Sequence, residues 1–298
     1  GVDSAATWIL DGFNSYTDIA NGRTLAFSSI EELTGGTEAD FFSLAGLRAH
    51  SISGGGGDDT IQFQSAMSQL IGVFDGGAGS DTYDLRNFNT PRDVTLLSNS
   101  TDGYVLTEAS ATGQVTGVDS IVGGLGDDTL RGLSVASAWT ISGANAGTYT
   151  DTTTSQTLFF GDMFLGTRGF ETLVGGASFD TFAFSGGGTI DGTLTGGSSL
   201  DTIIGDNTRT SETFTIDTAN GGLFRSGATP VIGDRFFDVE TITGAAGDDT
   251  FVFTNAGSLD GPIDGVGGVD TIVGDNNGNS ITITSKDSGS ILGKANTL

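Results

Sequence analysis

The stretch Gly123–Arg131 has the sequence GGLGDDTLR, which combines three glycines, an Asp-Asp pair and a Thr-apolar step. Closely similar stretches are GGGGDDTIQ at residues 54–62 and GGAGSDTYD at residues 76–84. The aspartate that precedes the Thr-apolar step, here called the motif aspartate, occurs in eight related copies: Asp40, Asp59, Asp81, Asp128, Asp180, Asp201, Asp249 and Asp270. The chain is therefore organised by an internal repeat.

The spacing of the motif aspartates indicates a regular unit. The seven intervals are 19, 22, 47, 52, 21, 48 and 21 residues, so the long intervals are about twice the short ones. A unit of roughly 23 residues, in which some copies lack the motif, explains all of them. An acidic residue also stands nine residues before four of the copies, at Glu31, Asp119, Glu171 and Glu240. These four copies are the ones that open each group.

The residues after each motif aspartate alternate between apolar and polar. Apolar pairs two residues apart follow the motif: Ile61/Phe63, Tyr83/Leu85, Phe182/Phe184 and Phe251/Phe253. This period is typical of strands that bury one face, and glycines turn the chain between them. The sequence predicts an all-β fold, a right-handed parallel β-solenoid of about thirteen turns with roughly 20–25 residues each. We expect one continuous domain over residues 1–298, in which only Ser65–Phe74 is a candidate for a short helical turn.

Composition limits the classes of partner. The chain has 37 acidic and 11 basic residues and a net charge of −26, which disfavours nucleic acid and anionic membranes. It has no cysteine, which excludes disulfides and thiolate metal sites. No apolar run approaches the ~20 residues that a membrane-spanning helix needs, so we expect no membrane insertion.

The motif resembles the nonapeptide G-G-x-G-x-D-x-U-x of the RTX (repeats-in-toxin) family of secreted bacterial proteins. Because the copies are isolated rather than consecutive, the chain is more similar to the β-helical stalks of giant bacterial surface adhesins and exoproteins. The resemblance implies a secreted, extracellular protein at the cell surface and Ca²⁺ bound between neighbouring turns. The ligands it implies are Asp40, Asp58, Asp59, Asp81, Asp127, Asp128, Asp180, Asp201, Asp248, Asp249 and Asp270.

The residues themselves leave a second interpretation of the aspartates open. A carboxylate after a glycine-rich corner can cap the turn by accepting backbone N–H groups. Carboxylates stacked in neighbouring turns repel each other unless a cation or a proton intervenes. Both calcium binding and turn capping are therefore hypotheses at this point.

Three functional classes follow from these features. We expect foremost an extracellular structural rod that forms or extends a bacterial surface fibre or stalk. Its partners would be identical copies end to end or flanking repeats of a longer chain, because Gly1–Ser4 (GVDS) resembles Gly268–Thr271 (GVDT) as if the chain began within a turn. Cell-surface or matrix polysaccharide is a further candidate partner. The alternatives are a calcium-binding RTX-type module and, with less support, a β-helix enzyme that acts on polysaccharide.

The sequence does not favour catalysis. Its arginines are scattered, and its acidic residues belong to the repeat rather than to a carboxylate pair in one groove. His50 is the single histidine, is expected on the surface, and has no G-x-S-x-G nucleophile motif to accompany it. We therefore predict that the protein is not an enzyme.

Overall fold

The structure is a computed structural model that describes residues 3–162, 169–275, 280–285 and 288–292, with side chains up to residue 275. Its contacts group the chain into two compact units. Unit 1 comprises Gly1–Arg131 and Ser155–Phe170, and unit 2 comprises Gly132–Thr154 and Glu171–Leu298. Each unit is described by itself, and the single continuous domain stays a prediction.

The described residues form strands, turns and bends, and no helix is present among them. The first strands are β1 Ala6–Leu10, β2 Ser15–Asp18, β3 Arg23–Ala26, β4 Glu32–Gly36, β5 Asp40–Leu44, β6 Leu47–Arg48, β7 Ser51–Gly56, β8 Thr60–Phe63, β9 Gln69–Leu70, β10 Phe74–Ala78, β11 Thr82–Asp84, β12 Asp93–Ser100, β13 Gly103–Thr107, β14 Val115–Val118, β15 Ser120–Val122 and β16 Thr129–Arg131. The stretch Ser65–Phe74 holds a turn and β9, so a helical turn there was a wrong expectation.

The remaining strands are β17 Ser137–Gly143, β18 Ala146–Asp151, β19 Thr157–Phe160, β20 Thr172–Val174, β21 Asp180–Phe184, β22 Leu194–Thr195, β23 Thr202–Ile204, β24 Thr213–Thr218, β25 Gly221–Ser226, β26 Thr229–Pro230, β27 Phe236–Phe237, β28 Thr241–Thr243, β29 Thr250–Phe253, β30 Ile263–Asp264, β31 Thr271–Val273, β32 Ser280–Ser285 and β33 Ser288–Leu292. The fold class is therefore all-β, as predicted. No described helix is long and apolar enough to cross a membrane.

Unit 1 is built from two sheets. One has the order β3-β2-β1-β5-β8-β11-β15-β19, and the other has the order β16-β12-β13-β14-β10-β7-β4. The chain alternates between the sheets, so that β4, β7 and β10 of one lead into β5, β8 and β11 of the other. We call each such passage through both sheets a rung. Neighbouring rungs pair in parallel, and the motif spacing is therefore the spacing between neighbouring strands.

Apolar side chains stack in register through unit 1. The parallel pairings place Phe42 beside Ile61 and Ile61 beside Tyr83. Trp8 begins this stack, with its ring 5.7 Å from that of Phe42 and nearly parallel to it. These side chains are buried, as the alternation predicted. The stack supplies the apolar burial that holds the rungs together.

Unit 2 repeats this construction. Its sheets have the orders β18-β17-β21-β23-β28-β30 and β31-β29-β24-β25-β27-β22-β20. Trp139 begins its stack, 5.5 Å from Phe182, and Ile203 follows in register. The predicted alternating pairs Phe182/Phe184 and Phe251/Phe253 are buried, as are those of unit 1, so that prediction is confirmed.

Antiparallel hairpins open each run of rungs. They are β1–β2, β12–β13, β17–β18 and β24–β25, and the first strand of each pairs in parallel with the following motif strand, which is β5, β16, β21 and β29 respectively. Trp139 faces Tyr149 across one hairpin and Phe214 faces Phe224 across another. The sequence analysis did not identify these hairpins.

Candidate functional site

The motif aspartates lie at the corners where the chain passes from one sheet to the other. Asp59, for example, stands between the end of β7 at Gly56 and the start of β8 at Thr60. Seven of the eight are at most 3% exposed: Asp40, Asp59, Asp81, Asp128, Asp180, Asp201 and Asp249. Only Asp270 is exposed, at the corner before β31. The repeat thus places carboxyl groups in the interior, where each needs hydrogen-bond partners.

The first carboxyl oxygen of the buried motif aspartates accepts a hydrogen bond from the neighbouring rung or hairpin, which comes from a backbone N–H in six of them and from the Ser137 hydroxyl at Asp180. The N–H of Asp40 donates to Oδ1 of Asp59 at 2.7 Å, and the N–H of Asp59 donates to Oδ1 of Asp81 at 2.8 Å. In unit 2 the N–H of Asp180 donates to Oδ1 of Asp201 at 2.7 Å. Each aspartate therefore clamps the corner of the rung before it. We call this series the carboxyl ladder.

Each ladder begins at a hairpin. Asp40 accepts the N–H of Ala6 at 2.8 Å, and Asp128 accepts that of Arg92 at 2.8 Å. In unit 2 Asp249 accepts the N–H of Glu212 at 2.9 Å. The clamp therefore also joins the first strand of a hairpin to the rung that follows it.

Two of the acidic residues nine positions before a motif aspartate belong to the ladder. The N–H of Asp81 donates to Oδ2 of Asp119 at 3.1 Å, and the N–H of Asp201 donates to Oε2 of Glu240 at 2.7 Å. Sequence reasoning treated these acids as markers of a group opening. The sequence did contain a signal for this role, since the stretches VDSI at Asp119 and VETI at Glu240 resemble the VDTI stretch at the motif aspartate Asp270.

The aspartate that precedes a motif aspartate makes the reverse contact. Oδ1 of Asp58 accepts the N–H of Ser80 at 2.9 Å, and Oδ1 of Asp248 accepts the N–H of Val269 at 2.7 Å. Asp58 and Asp248 are exposed, whereas the motif aspartates beside them are buried. An Asp-Asp pair can therefore clamp the preceding rung with its second residue and the following rung with its first. Asp127, in the third Asp-Asp pair, is exposed.

The glycine five residues before each motif aspartate is required by close packing. A Cβ on Gly54 would collide with Oδ2 of Asp59 and with the carbonyl oxygen of Gly76 in the next rung. Equivalent crowding by the aspartate and by a neighbouring-rung carbonyl occurs at Gly35, Gly76, Gly123, Gly175, Gly196 and Gly244. The first glycine of the motif is thus explained by backbone approach.

The second carboxyl oxygen divides the corners into two kinds. At opening corners, which follow a hairpin, Oδ2 accepts an N–H from the residue four positions earlier: Gly124 to Asp128 at 2.5 Å, Gly176 to Asp180 at 2.5 Å and Ala245 to Asp249 at 2.6 Å. At continuing corners Oδ2 has no partner among the described residues, and this holds for Asp59, Asp81 and Asp201. Asp40 opens a run, but its Oδ2 also has no partner there.

Burial favours the protonated form of these carboxyl groups. It raises the pKa of Asp59 to about 7 and that of Asp201 to about 7, with neighbouring acids adding to the effect. Burial likewise raises the pKa of Asp81 and of Asp128, each to about 6. The ladder N–H groups act in the opposite direction because they stabilise the carboxylate.

The inward-facing aspartates do not fit a calcium cage. Ca²⁺ takes six to eight oxygen ligands. In the ladder, Oδ1 is occupied by a backbone N–H and Oδ2 lies against a glycine. No group of three or more His, Asp or Glu residues converges in the part of the chain that the structure describes. The geometry therefore favours turn capping, and calcium binding stays a prediction.

A second polar cluster lies where the repeat is most interrupted. Glu108 is buried, pairs with Arg92 and accepts the N–H of Ser110 at 2.7 Å. The hydroxyl groups of Tyr83 and Ser110 lie 2.7 Å apart. This network ties hairpin β12–β13 to the core of unit 1. His50 is 7% exposed, so its expected place on the surface was wrong.

No family model matches the chain, and the comparison with curated proteins gives no similar sequence. The functional argument therefore rests on the carboxyl ladder.

Proposed function

We propose that this protein is an extracellular structural protein, a right-handed β-solenoid rod that forms or extends a bacterial surface fibre or stalk. The observation that carries the proposal is the use of the motif aspartates. Their carboxyl groups are engaged with backbone N–H groups of adjacent rungs, as from Asp40 to Asp59 and from Asp59 to Asp81. The most repeated chemical group of the sequence thus serves to hold the stack together.

A structural role agrees with the distribution of the other polar groups. A hydrolase or lyase that acts on polysaccharide needs two carboxyl groups, or a metal and a base, that converge on a substrate groove. Glu108 is instead buried against Arg92 and Ser110 inside unit 1. We therefore propose no catalytic residues.

Location and partners follow from the resemblance and from charge. The similarity to adhesin stalks favours secretion and the cell surface, and a net charge of −26 favours solubility and disfavours nucleic acid. Identical copies joined end to end, or flanking repeats, are the proposed partners. Surface polysaccharide is a further candidate ligand.

The test is negative-stain microscopy with sedimentation of the purified chain, in calcium and in excess EGTA. Unbranched filaments or elongated rods in both conditions are expected. Filaments in calcium alone would instead support the RTX-type calcium module. Compact particles in both conditions would contradict the rod, and cleavage of polysaccharides by such particles would support the enzyme.

A further inference from the structure

Four strands end the two large sheets in the described part of the chain: β3 and β30 end one, and β4 and β31 end the other. The two edges considered further are those of β4 in unit 1 and of β31 in unit 2. An unpaired edge presents a row of N–H and C=O groups that can accept a further strand. The question is whether these two edges carry complementary features.

The junctions inside the units show what a complete contact requires. At the junction between Asp81 and Asp119, the acid accepts the N–H of the motif aspartate, and β15 pairs in parallel with β11. Gly117, two residues before the acid, has a left-handed φ of 63°. The Gly117 carbonyl oxygen lies directly over Gly76, the first glycine of the preceding corner.

The junction between Asp201 and Glu240 has the same three features. Glu240 accepts the N–H of Asp201 at 2.7 Å, and β28 pairs in parallel with β23. Asp238, two residues before the acid, has a φ of 51° although it is not a glycine. Its carbonyl oxygen lies over Gly196. The recurrence in both units defines the geometry that joins one group of rungs to the next.

The segment before β4 has one half of this junction. Glu31 stands immediately before β4, as Asp119 stands before β15, and its side chain is exposed. Ser29, two residues before the acid, has a φ of 57°. A left-handed conformation is unfavourable for serine. Ser29 adopts this conformation although the described residues include no preceding rung for its carbonyl group to contact.

The corner before β31 has the other half. Asp270 is exposed, and its N–H has no hydrogen-bond partner among the described residues, whereas those of Asp81 and Asp201 donate to an acid. The three atoms nearest to a Cβ on Gly265, five residues earlier, all belong to Asp270, whereas a carbonyl oxygen of the following rung is the nearest atom at Gly76 and Gly196. The missing acceptor and the missing carbonyl are the two groups that Glu31 and Ser29 supply.

The apolar core is open at the same place. A cavity of 490 Å³ beside β4 is lined by Glu32 and Thr34 and by the mostly apolar side chains of Trp8, Tyr16, Leu25, Phe27, Ile30 and Leu33. Leu33 is stacked in register on Ile52. On the other edge, Ile272 is stacked in register on Phe251 and is only partly buried. The addition of β31 to β4 would bring Ile272 onto Leu33 and continue both stacks.

We propose that β31 of one molecule pairs in parallel with β4 of a second copy, with the Asp270 N–H donating to the Glu31 carboxylate and the Ser29 carbonyl lying over Gly265. The register places Thr271 opposite Glu32, Ile272 opposite Leu33 and Val273 opposite Thr34. This contact rests on the proposed end-to-end function. Because it joins two different surfaces, it leads to an open chain of copies rather than a closed dimer.

Disulfide trapping tests the register directly, because the protein has no cysteine of its own. Paired residues of neighbouring strands are about 4.8 Å apart, which is within the range for a disulfide. A Val273→Cys variant is mixed with a Thr34→Cys variant under mild oxidation. The matched control mixes Val273→Cys with Glu32→Cys, which is exposed on the same strand but two residues out of register. We expect at least tenfold more mixed disulfide in the first mixture.

Sedimentation of the unmodified chain and of a Glu31→Lys variant distinguishes this contact from the proposed function as a whole. The charge reversal is expected to reduce the assembled fraction severalfold, whereas Glu38→Lys, also at an exposed residue of unit 1, leaves it unchanged. Circular dichroism verifies that both variants are folded. Filaments without in-register trapping would overturn this junction and leave the end-to-end proposal intact. Monomers with no trapping would overturn both this junction and end-to-end assembly, and compact monomers would also contradict the rod.

Discussion

Opening and continuing corners share almost the same sequence but differ in backbone geometry. At the opening corner of Asp180, Gly176 has no left-handed φ and donates its N–H to Oδ2 at 2.5 Å. At the continuing corner of Asp201, Gly197 has a φ of 118°, and Oδ2 has no partner among the described residues. Gly55 and Gly77 are left-handed as well. Where one corner stacks directly on another, the N–H of the second motif glycine is therefore turned away from the carboxyl group of the motif aspartate.

The comparison separates stacking from charge. A Cβ on Gly197 would collide with the carbonyl oxygen of Gly176, so the continuing corner fits closely on the one before it. The close fit leaves the buried carboxyl group of Asp201 with one donor, the N–H of Asp180. We infer that the close packing of continuing corners leaves their buried carboxyl groups with too few hydrogen-bond donors. Three substitutions and a change of pH test this inference.

The largest effect is expected for Gly196→Ala. The new Cβ would collide with the Asp238 carbonyl oxygen and with Asp201, so the corner must open. We expect a loss of about 3 kcal/mol in the free energy of unfolding. Denaturant unfolding measures it. The control is Gly187→Ala, where φ is 86° but no atom lies within 4 Å of the added Cβ, and about 1 kcal/mol is expected from backbone strain alone. Equal losses would show that crowding is unimportant.

The next effect is expected for Asp201→Ala, which leaves the buried N–H of Asp180 without its acceptor. The expected loss is about 2 kcal/mol. Asp201→Asn keeps an acceptor oxygen while it removes the charge, so it should cost less than about 0.5 kcal/mol at pH 7 and is measured in the same way. A loss as large for Asn as for Ala would mean that the negative charge itself is needed, as a bound cation would require.

The pH dependence of stability tests the charge of the continuing corners. Burial raises the pKa of Asp59 and Asp201 to about 7 and of Asp81 to about 6, from an ordinary value of 3.8. Because the folded protein then binds protons more tightly than the unfolded chain, these groups add stability as pH falls below 7 and lose that contribution as pH rises through 6 to 7.

We therefore expect the melting temperature to rise from pH 8 to pH 5, as measured by circular dichroism. The largest Coulombic effects at these residues come from acids, which act in the same direction as burial: Asp40, Asp58, Asp75, Asp81, Asp119, Asp180, Asp238 and Glu240. The slope should be smaller in Asp201→Asn. A melting temperature that falls over this range in the wild type would show that the carboxylates are charged in the folded molecule.

The sequence predicted features that depend on local residue order, and it did not predict features that depend on contacts between distant residues. Alternation identified buried residues such as Phe182 and Phe184, because burial of one strand face depends on local order alone. The hairpin strand Thr213–Thr218 alternates in the same way, and only its antiparallel partner Gly221–Ser226 distinguishes it from a rung. The role of Glu240 was likewise hidden, because it depends on contact with a rung 39 residues away.

The motif aspartates show the same limit. Their spacing and glycine context fixed their position at corners, but calcium binding and turn capping place the same residues there. What distinguishes them is the direction of each carboxyl oxygen, and that depends on the neighbouring rung. The two kinds of corner could not be separated either, since Gly176 and Gly197 both follow a glycine and their difference in φ is not visible in the sequence.

The smallest effect is expected for Asp58→Ala. Asp58 is exposed and accepts one N–H, that of Ser80 at 2.9 Å, so water can replace it at a cost of about 0.5 kcal/mol. Thermal unfolding in calcium and in EGTA sharpens the comparison with the buried Asp59. If the outer aspartates held calcium, the wild type would be stabilised by calcium and Asp58→Ala would lose that response. If they cap backbone N–H groups, calcium changes the unfolding temperature of neither protein, and Asp58 contributes only its single hydrogen bond from Ser80.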